Sequence, residues 1–164
     1  MTTVNFLDYE PDSFYVLNRR GFFGLSKSPL EKQGLSKENE YYLSFIRYSP
    51  VISGIQTTQH VQSPKQIVEE AILNEPSCLV VEPIAMGWGT GPYMRFLDLL
   101  AEQKENRAIV IYTKAFYRPD SGKLLDPCER RGLITVSRAY PLVEQEEVEK
   151  LVRIIKRECE KYKK

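Results

Sequence analysis

The sequence predicts an α/β protein with a Rossmann-like, three-layer fold and a mainly parallel sheet. Two apolar runs, "CLVVEPIAM" from position 78 and "AIVIYT" from position 108, are nearly continuous. Such runs are typical of strands that helices cover on both faces. A third strand, "LITVS" from position 133, follows them, and helical segments separate the three. This alternation of helix and strand is typical of a parallel α/β layer.

Two predicted helices flank the first of these strands. Ser63 and Pro64 suit an N-cap and a first helical position, and apolar residues then recur at helical spacing until "NEP" at positions 74 to 76. From Pro92 onward, a second helix has an apolar face formed by Tyr93, Phe96, Leu97, Leu100 and Ala101.

Two more helices are predicted after the second strand. A short helix is expected around Leu124 to Arg131, with Gly132 closing it. The last helix begins at about Leu142 and carries acidic residues early and basic residues late, as the helix dipole favours.

The N-terminal third is predicted to be β-rich and to add antiparallel strands to the sheet. The segments "SFYVL" and "GFFGLS" flank the polar turn "NRRG", which is typical of a hairpin. The polar stretch "KSPLEKQGLSKENE" is expected to be a loop, and "YYLSFIRYS" and "VISGIQTTQHV" to be strands. We therefore expect one domain over residues 1–164, with a β-rich part at 1–62 and a Rossmann-like part at 63–164.

The composition is that of a folded protein with one core. The 164 residues are 42% hydrophobic and 27% charged, which suits a single globular domain. The formal net charge of +1 gives no field that would attract nucleic acid or an anionic membrane. Because no apolar run approaches the roughly 20 residues that span a bilayer and no secretion signal opens the chain, we expect a cytosolic protein. Homo-oligomerisation stays open.

Neither a metal nor a cofactor is predicted. The cysteines Cys78, Cys128 and Cys159 are far apart and form no CxxC pair, which predicts reduced thiols. His60 is the only histidine and has no nucleophile motif beside it, and no acidic cluster has metal-ligand spacing.

A glycine-rich segment, "AMGWGTGPY", joins the first buried strand to the helix at Pro92. Backbone amides at a helix N-terminus bind anions, and glycines let the backbone approach them closely. Gly87, Gly89 and Gly91, with the hydroxyl of Thr90, are therefore candidates for binding a phosphate or carboxylate. Trp88 is a candidate stacking surface. The alternative, of equal weight, is a tight connection in which the glycines only permit close packing.

Other residues near this segment are candidates for contact with a ligand. Glu82 ends an apolar run, so it is a candidate acid or base, although strand-end acids more often face solvent or form ion pairs. Tyr93 is a candidate hydrogen-bond donor, but its place on the apolar stripe favours a role in the core. Tyr117 and Arg118 follow a strand end, where they could stack on a base and pair with a phosphate, or could belong to a loop packed by its own aromatics.

The segment "AMGWGTGPY" resembles the PGGxGTxxE motif of the LOG, or lysine decarboxylase-like, proteins. Two later stretches, "AFYRPDSGKLLDPCERRGLI" and "TVSRAYPLVEQEEVEKLVRII", are also similar to that family, so the resemblance covers about residues 64–158. It implies a Rossmann-like fold and the handling of nucleoside monophosphates, from which the family removes the base.

The chain departs from that family at its catalytic positions. Tyr93 stands where the family has its catalytic glutamate, and the catalytic arginine would fall near Glu70. Ala85 and Met86 replace the proline and first glycine, and no counterpart of the family's N-terminal strand is expected in residues 1–60. What remains is the phosphate-holding part of the motif, which consists of Gly87, Gly89 and Thr90.

Three functions follow from these observations. The first is a small protein that binds a nucleotide or another phosphate-bearing small molecule at residues 87–91. The second is an N-glycoside-cleaving hydrolase with relocated catalytic groups, for which Glu82 is the candidate acid. The third is a pseudoenzyme or interaction module whose glycine loop is purely structural.

Overall fold

Five strands form one parallel sheet in the computed structural model, which describes residues 1–8, 27–48, 62–82, 90–112, 121–136 and 144–162. The strands are β1 (Thr2–Asp8), β2 (Tyr41–Arg47), β3 (Cys78–Val81), β4 (Ala108–Tyr112) and β5 (Ile134–Val136). They are ordered β2-β1-β3-β4-β5, and every neighbouring pair is parallel.

The helices of the described ranges connect these strands. They are α1 (Lys27–Lys32), α2 (Pro64–Ala71), α3 (Thr90–Glu102), α4 (Ser121–Arg130) and α5 (Glu144–Glu160). Single turns of 3₁₀-helix lie at Lys37–Asn39 and Gln103–Glu105. The structure therefore confirms the four helices predicted from residue 63 onward, which are α2, α3, α4 and α5.

The sheet has a separate hydrophobic core on each face. One core packs α1 and α5 against alternate strand residues such as Cys78 and Val80. The other packs α2, α3 and α4 against the intervening residues, such as Leu79 and Val81. Because β3 contributes to both cores, all four of its residues are buried and apolar, which explains the continuous run in the sequence. The predicted three-layer α/β fold is confirmed.

The strand order reverses between β1 and β3. The chain passes from β1 to β2 on one side and then crosses β1 to form β3, β4 and β5 on the other. Leu7 is consequently in register with both Ile46 and Val81. In open α/β sheets of this order, the crevice beyond the carboxyl ends of the strands at such a reversal is where ligands bind.

The residues predicted to begin α2 and to end α4 do so in the structure. The hydroxyl of Ser63 accepts a hydrogen bond from the Gln66 amide at 3.2 Å, and the Gln66 side chain accepts one from the Ser63 amide at 2.9 Å. This capping box starts α2, with Pro64 as its first residue. Gly132 follows α4 with a φ of 73°, a left-handed conformation that glycine adopts readily.

The N-terminal third differs from its prediction. β1 was not among the strands that the sequence predicted. No antiparallel strand is found in the described part of this region, where β1 and β2 pair in parallel. The stretch from 27 to 40, expected to be a loop, contains α1 and a 3₁₀ turn. The predicted hairpin at 13–26 and the predicted strand at 51–61 lie outside the described residues.

A buried polar residue accounts for the missed strand. Asn5 interrupts the apolar alternation of β1, yet its side chain is 0% exposed. Its amide nitrogen donates to the carbonyl of Ala71 at 2.8 Å and to the side chain of Asn74 at 2.7 Å. These bonds tie β1 to the end of α2, so the N-terminal strand and the later α/β units share one sheet.

Within the described ranges, no helix has the length and apolar character needed to cross a membrane.

We predict that Asn5→Ala lowers the free energy of unfolding by about 2 to 3 kcal/mol. The change leaves the Ala71 carbonyl without its buried donor and opens a cavity beside it. Urea denaturation measures the loss. Leu73→Ala is the control because Leu73 lies close to Asn74 in the chain but is 80% exposed, and we expect it to change stability by less than about 0.5 kcal/mol. Equal effects of the two variants would contradict a structural role for the Asn5 amide.

Candidate functional site

The candidate site lies at the carboxyl edge of the sheet, which is defined here by the ends of the five strands at Asp8, Arg47, Val81, Tyr112 and Val136. The ends are level: Asp8 is in register with Arg47, and Tyr112 with Val136. The sequence segment 83–89 leaves β3 at this edge and leads into α3. The reversal of strand order is at the same place, between β1 and β3.

Glu82 immediately follows β3 and is held at this reversal by its backbone. Its amide donates to the carbonyl of Leu7 at 2.9 Å, and its own carbonyl accepts a hydrogen bond from the Tyr48 hydroxyl at 2.5 Å. The residue is only 8% exposed, so the alternative in which it faces solvent is wrong. A buried carboxyl group at a sheet reversal is a suitable acid or base, and the catalytic role of Glu82 stays a prediction.

Tyr48 is the residue of this edge that sequence reasoning missed. It follows β2, is almost fully buried, and stacks on Phe96 of α3 with ring centroids 6.0 Å apart. With its hydroxyl bonded to Glu82, it joins the end of the outer strand to both β3 and α3. No local pattern distinguishes it from the other nine tyrosines of the chain, because its partners lie far along the sequence.

The N-terminus of α3 is the described part of the predicted ligand loop. The helix has 13 residues and begins at Thr90, two residues before the predicted start. The backbone amides of its first turn have no partner within the helix, and they lie at the positive end of the helix dipole. Gly91 is exposed, and a Cβ placed on it would meet no atom of the described residues within 4 Å.

Several predicted ligand contacts lie outside the described residues. These are Gly87, Trp88 and Gly89 in the loop, and Tyr117 and Arg118 after β4. Their proposed contacts with a ligand stay predictions from the sequence.

Tyr93 lies in the core between α3 and α4. Its ring packs with apolar residues of α2, α3 and α4, and its hydroxyl is 3.5 Å from the sulfur of Cys128. Burial raises the pKa of Tyr93 well above its ordinary value, and Cys128 and the negative charge of Glu82 act in the same direction, while Arg131 opposes them. The phenol therefore stays neutral, and the core role favoured by its place on the apolar stripe is confirmed.

Cys128 is a buried thiol in the same contact. Burial raises its pKa, while the hydrogen bond with Tyr93 and the charge of Arg131 lower it. A nucleophilic cysteine needs an exposed, stabilised thiolate, and Cys128 has neither property. Cys78 and Cys159 are also buried and free, which agrees with the predicted reduced thiols.

An ion pair and further bonds fix α3 against α4 below this contact. The Nε of Arg131 donates to Asp98 at 2.7 Å, and its Nη1 donates to the carbonyl of Pro127 at 2.9 Å. The carbonyl of Arg131 accepts a bond from Lys104 at 2.8 Å. These bonds hold the C-terminal half of α3 in place, and the N-terminus of the same helix is positioned with it.

Comparison of the chain with protein-family models, with curated proteins and with solved structures found no match in any of the three. Its function is therefore to be inferred from the residues and their geometry.

We predict that stability falls more gently with rising pH in Tyr93→Phe than in the wild type. Above pH about 10 the unfolded chain loses the phenolic proton, whereas folded Tyr93 keeps it, so the free energy of unfolding decreases as pH rises. Phenylalanine removes this contribution, worth up to about 1.4 kcal/mol for each pH unit in that range. The raised pKa of Cys128 acts in the same direction, so part of the slope remains.

Denaturation in urea at several values between pH 9 and pH 11 measures this slope. Tyr42→Phe is the matched control because it makes the same substitution at a tyrosine that is 46% exposed. If Tyr93→Phe and Tyr42→Phe show identical slopes, Tyr93 does not hold its proton in the folded state.

Proposed function

We propose that the protein binds a nucleotide or another phosphate-bearing small molecule at the carboxyl edge, where residues 87–91 lead into α3. The strand order β2-β1-β3-β4-β5 carries this proposal, because its reversal lies directly beside the β3 to α3 connection. Crevices at such reversals are the usual ligand sites of open parallel sheets.

The chemistry of the helix N-terminus supports an anionic ligand. In α3, the amides of the first turn have no partner within the helix, and the dipole adds about half a positive charge. Gly91 has no side chain above this turn, and no atom of the described residues lies within 4 Å of where its Cβ would be. With Gly87 and Gly89 preceding it in the sequence, the backbone can approach a phosphate closely.

The side of the sheet on which the predicted contacts fall also supports this edge. Residues 87–89, 117 and 118 follow the carboxyl ends of β3 and β4 in the sequence. Binding residues in α/β proteins are concentrated in the loops that follow the strands. In this proposal Trp88 and Tyr117 stack on the base of the ligand, and Arg118 pairs with a phosphate.

Hydrolysis of an N-glycosidic bond is the second candidate function, and the burial of Glu82 is the observation that favours it. A carboxyl group that is withdrawn from water beside a ligand can hold a proton and give it to a leaving base. Glu82 lies at the reversal of strand order and is 8% exposed. An interaction module with a structural glycine loop remains the function to adopt if no phosphate compound binds.

One experiment separates these functions. The four ribonucleoside monophosphates and inorganic phosphate are added separately, and both the melting temperature and the release of free base are measured. Stabilisation without base release supports ligand binding. Base release supports the hydrolase, and the absence of both effects contradicts each proposal.

We predict that Gly89→Asp abolishes stabilisation by the phosphate ligand while leaving the fold intact. Gly89 immediately precedes α3 in the sequence, and aspartate before a helix commonly acts as a cap. Its carboxylate also repels an anion at the same helix end. Thermal melting with and without ligand measures both effects.

Leu73→Asp is the matched control for Gly89→Asp. It adds the same charge at an exposed position after α2 and should keep the ligand-induced increase in melting temperature. Stabilisation that persists in Gly89→Asp would show that the ligand binds elsewhere.

We predict that Glu82→Gln abolishes any base release but keeps ligand binding. Glutamine retains the shape of the side chain and the backbone bonds to Leu7 and Tyr48, yet it cannot transfer a proton. Glu102→Gln, an exposed change at the end of α3, is the control. The role of Glu82 as the acid is excluded if Glu82→Gln releases base at the rate of the control.

A further inference from the structure

Two of the three cysteines contact each other in the core. Cys78 is the first residue of β3, and Cys159 lies in the last turn of α5. Their side chains share a hydrogen bond, both are 0% exposed, and both belong to the core that α5 covers. Cys128 lies in the core on the other face of the sheet. The fold therefore pairs two thiols that are distant in the sequence and separates the third from them.

The last turn of α5 holds Cys159 in this contact. The amide of Tyr162 donates to the carbonyl of Cys159 at 3.0 Å, and the Tyr162 hydroxyl donates to the carbonyl of Lys104 at 2.5 Å. Lys104 lies in the 3₁₀ turn just before β4. The bond between Tyr162 and Lys104 therefore attaches the end of α5 to the end of the sheet at which β4 begins.

The ion pairs of this turn do not add to that attachment. Glu158 is 5% exposed and pairs with Arg157 at 3.0 Å and with Lys161 at 2.9 Å. All three residues belong to the same end of the chain, so these pairs move with the turn. Because helix ends open at a lower free energy than the middle of a sheet, we expect Cys159 to become exposed before Cys78 does.

The closed structure protects Cys78 from oxidation. The hydrogen bond with Cys159 and burial raise the pKa of Cys78 well above its ordinary value, and the charge of Glu158 acts in the same direction. Since the thiolate is the form of cysteine that reacts, Cys78 is inert while the turn is closed. Oxidation of the pair therefore requires the end of α5 to open and begins at Cys159.

We propose that Cys78 and Cys159 form a redox switch, in which hydrogen peroxide converts the two thiols to a disulfide that joins the end of α5 to the central strand of the sheet. In the first step the thiolate of Cys159 attacks one oxygen of the peroxide, the O–O bond breaks, and a sulfenic acid and water result. The sulfur of Cys78 then attacks the sulfur of the sulfenic acid, the S–S bond forms, and the S–O bond breaks with release of a second water. The two thiols lose two electrons, which reduce the peroxide.

The disulfide has a structural consequence because its cysteines are far apart in the chain. It closes a loop of roughly 80 residues, and long closed loops restrict the unfolded chain strongly. Oxidation is therefore expected to stabilise the fold and to prevent the end of α5 from opening. Inside cells, disulfides are usually transient and sense redox state, so a reductant is expected to reverse the change. The switch does not depend on the ligand proposed at the carboxyl edge.

Peptide mapping of the oxidised protein tests this proposal. The reduced full chain is treated with a small excess of hydrogen peroxide, and the remaining thiols are then labelled with N-ethylmaleimide in urea. We expect the oxidised chain to lose the mass of two hydrogen atoms, Cys78 to be linked to Cys159, and the label to lie on Cys128. In the unfolded chain, oxidised in urea, disulfides that include Cys128 should form as well.

Thermal melting tests the consequence of the link. We expect the linked protein to melt at least about 5 °C higher than the reduced protein, and dithiothreitol to restore the lower melting temperature. A linked protein that melts at the temperature of the reduced one would overturn the role of the disulfide as a switch.

Substitution of single cysteines assigns the link. Cys159→Ala should form no disulfide within the chain, because Cys78 and Cys128 lie in different cores. Cys128→Ser is the matched control, since it removes a buried thiol outside the pair, and it should form the link at the rate of the wild type. Peptide mapping of the wild type still decides the proposal if Cys159→Ala does not fold.

A further variant tests the opening of the last turn. Tyr162→Phe removes the hydrogen bond to Lys104 and should accelerate formation of the link by about threefold or more. Tyr42→Phe, the same change at an exposed tyrosine, should leave the rate unchanged. The proposal is overturned if folded wild-type protein forms no link between Cys78 and Cys159, if it forms links to Cys128 as often, or if the two tyrosine variants react at the same rate.

Discussion

The parallel pairing of β1 with both β2 and β3 is the constraint on which the structure depends. A chain that leaves β1, forms β2 beside it and returns to form β3 on its other side must cross the sheet. This crossing puts α1 on one face and α2 on the other. It also creates the reversal at which Glu82 and the start of α3 lie. The buried amide of Asn5, bonded to Ala71 and Asn74, fixes the strand in that central place.

Features of the sequence that are local were predictable, and features that depend on distant partners were not. The apolar runs of β3 and β4 and the capping box at Ser63 are complete within a few residues, so their patterns sufficed. β1 was missed because Asn5 is satisfied by a carbonyl 66 residues away. The direction of β2 was equally hidden, because it depends on pairing with β1, a strand that is distant in the sequence.

The candidate sites show the same division. Glu82 was found because an acid at the end of an apolar run is visible in the sequence. Tyr48 was not, because its partner Glu82 is 34 residues away. Arg107 follows the polar stretch "KEN" in the sequence, and only the structure shows its burial against Pro76.

Two hydrogen bonds at the end of β3 restrict changes in the length of the chain before Glu82. Leu7 and Tyr48 bond the amide and the carbonyl of the same residue, Glu82. Insertion or deletion of one residue within β3 would break both bonds and exchange the residues of the two cores. The same change beyond Glu82 leaves every one of these contacts in place. These two bonds therefore fix the number of residues in the chain from the start of β3 to Glu82.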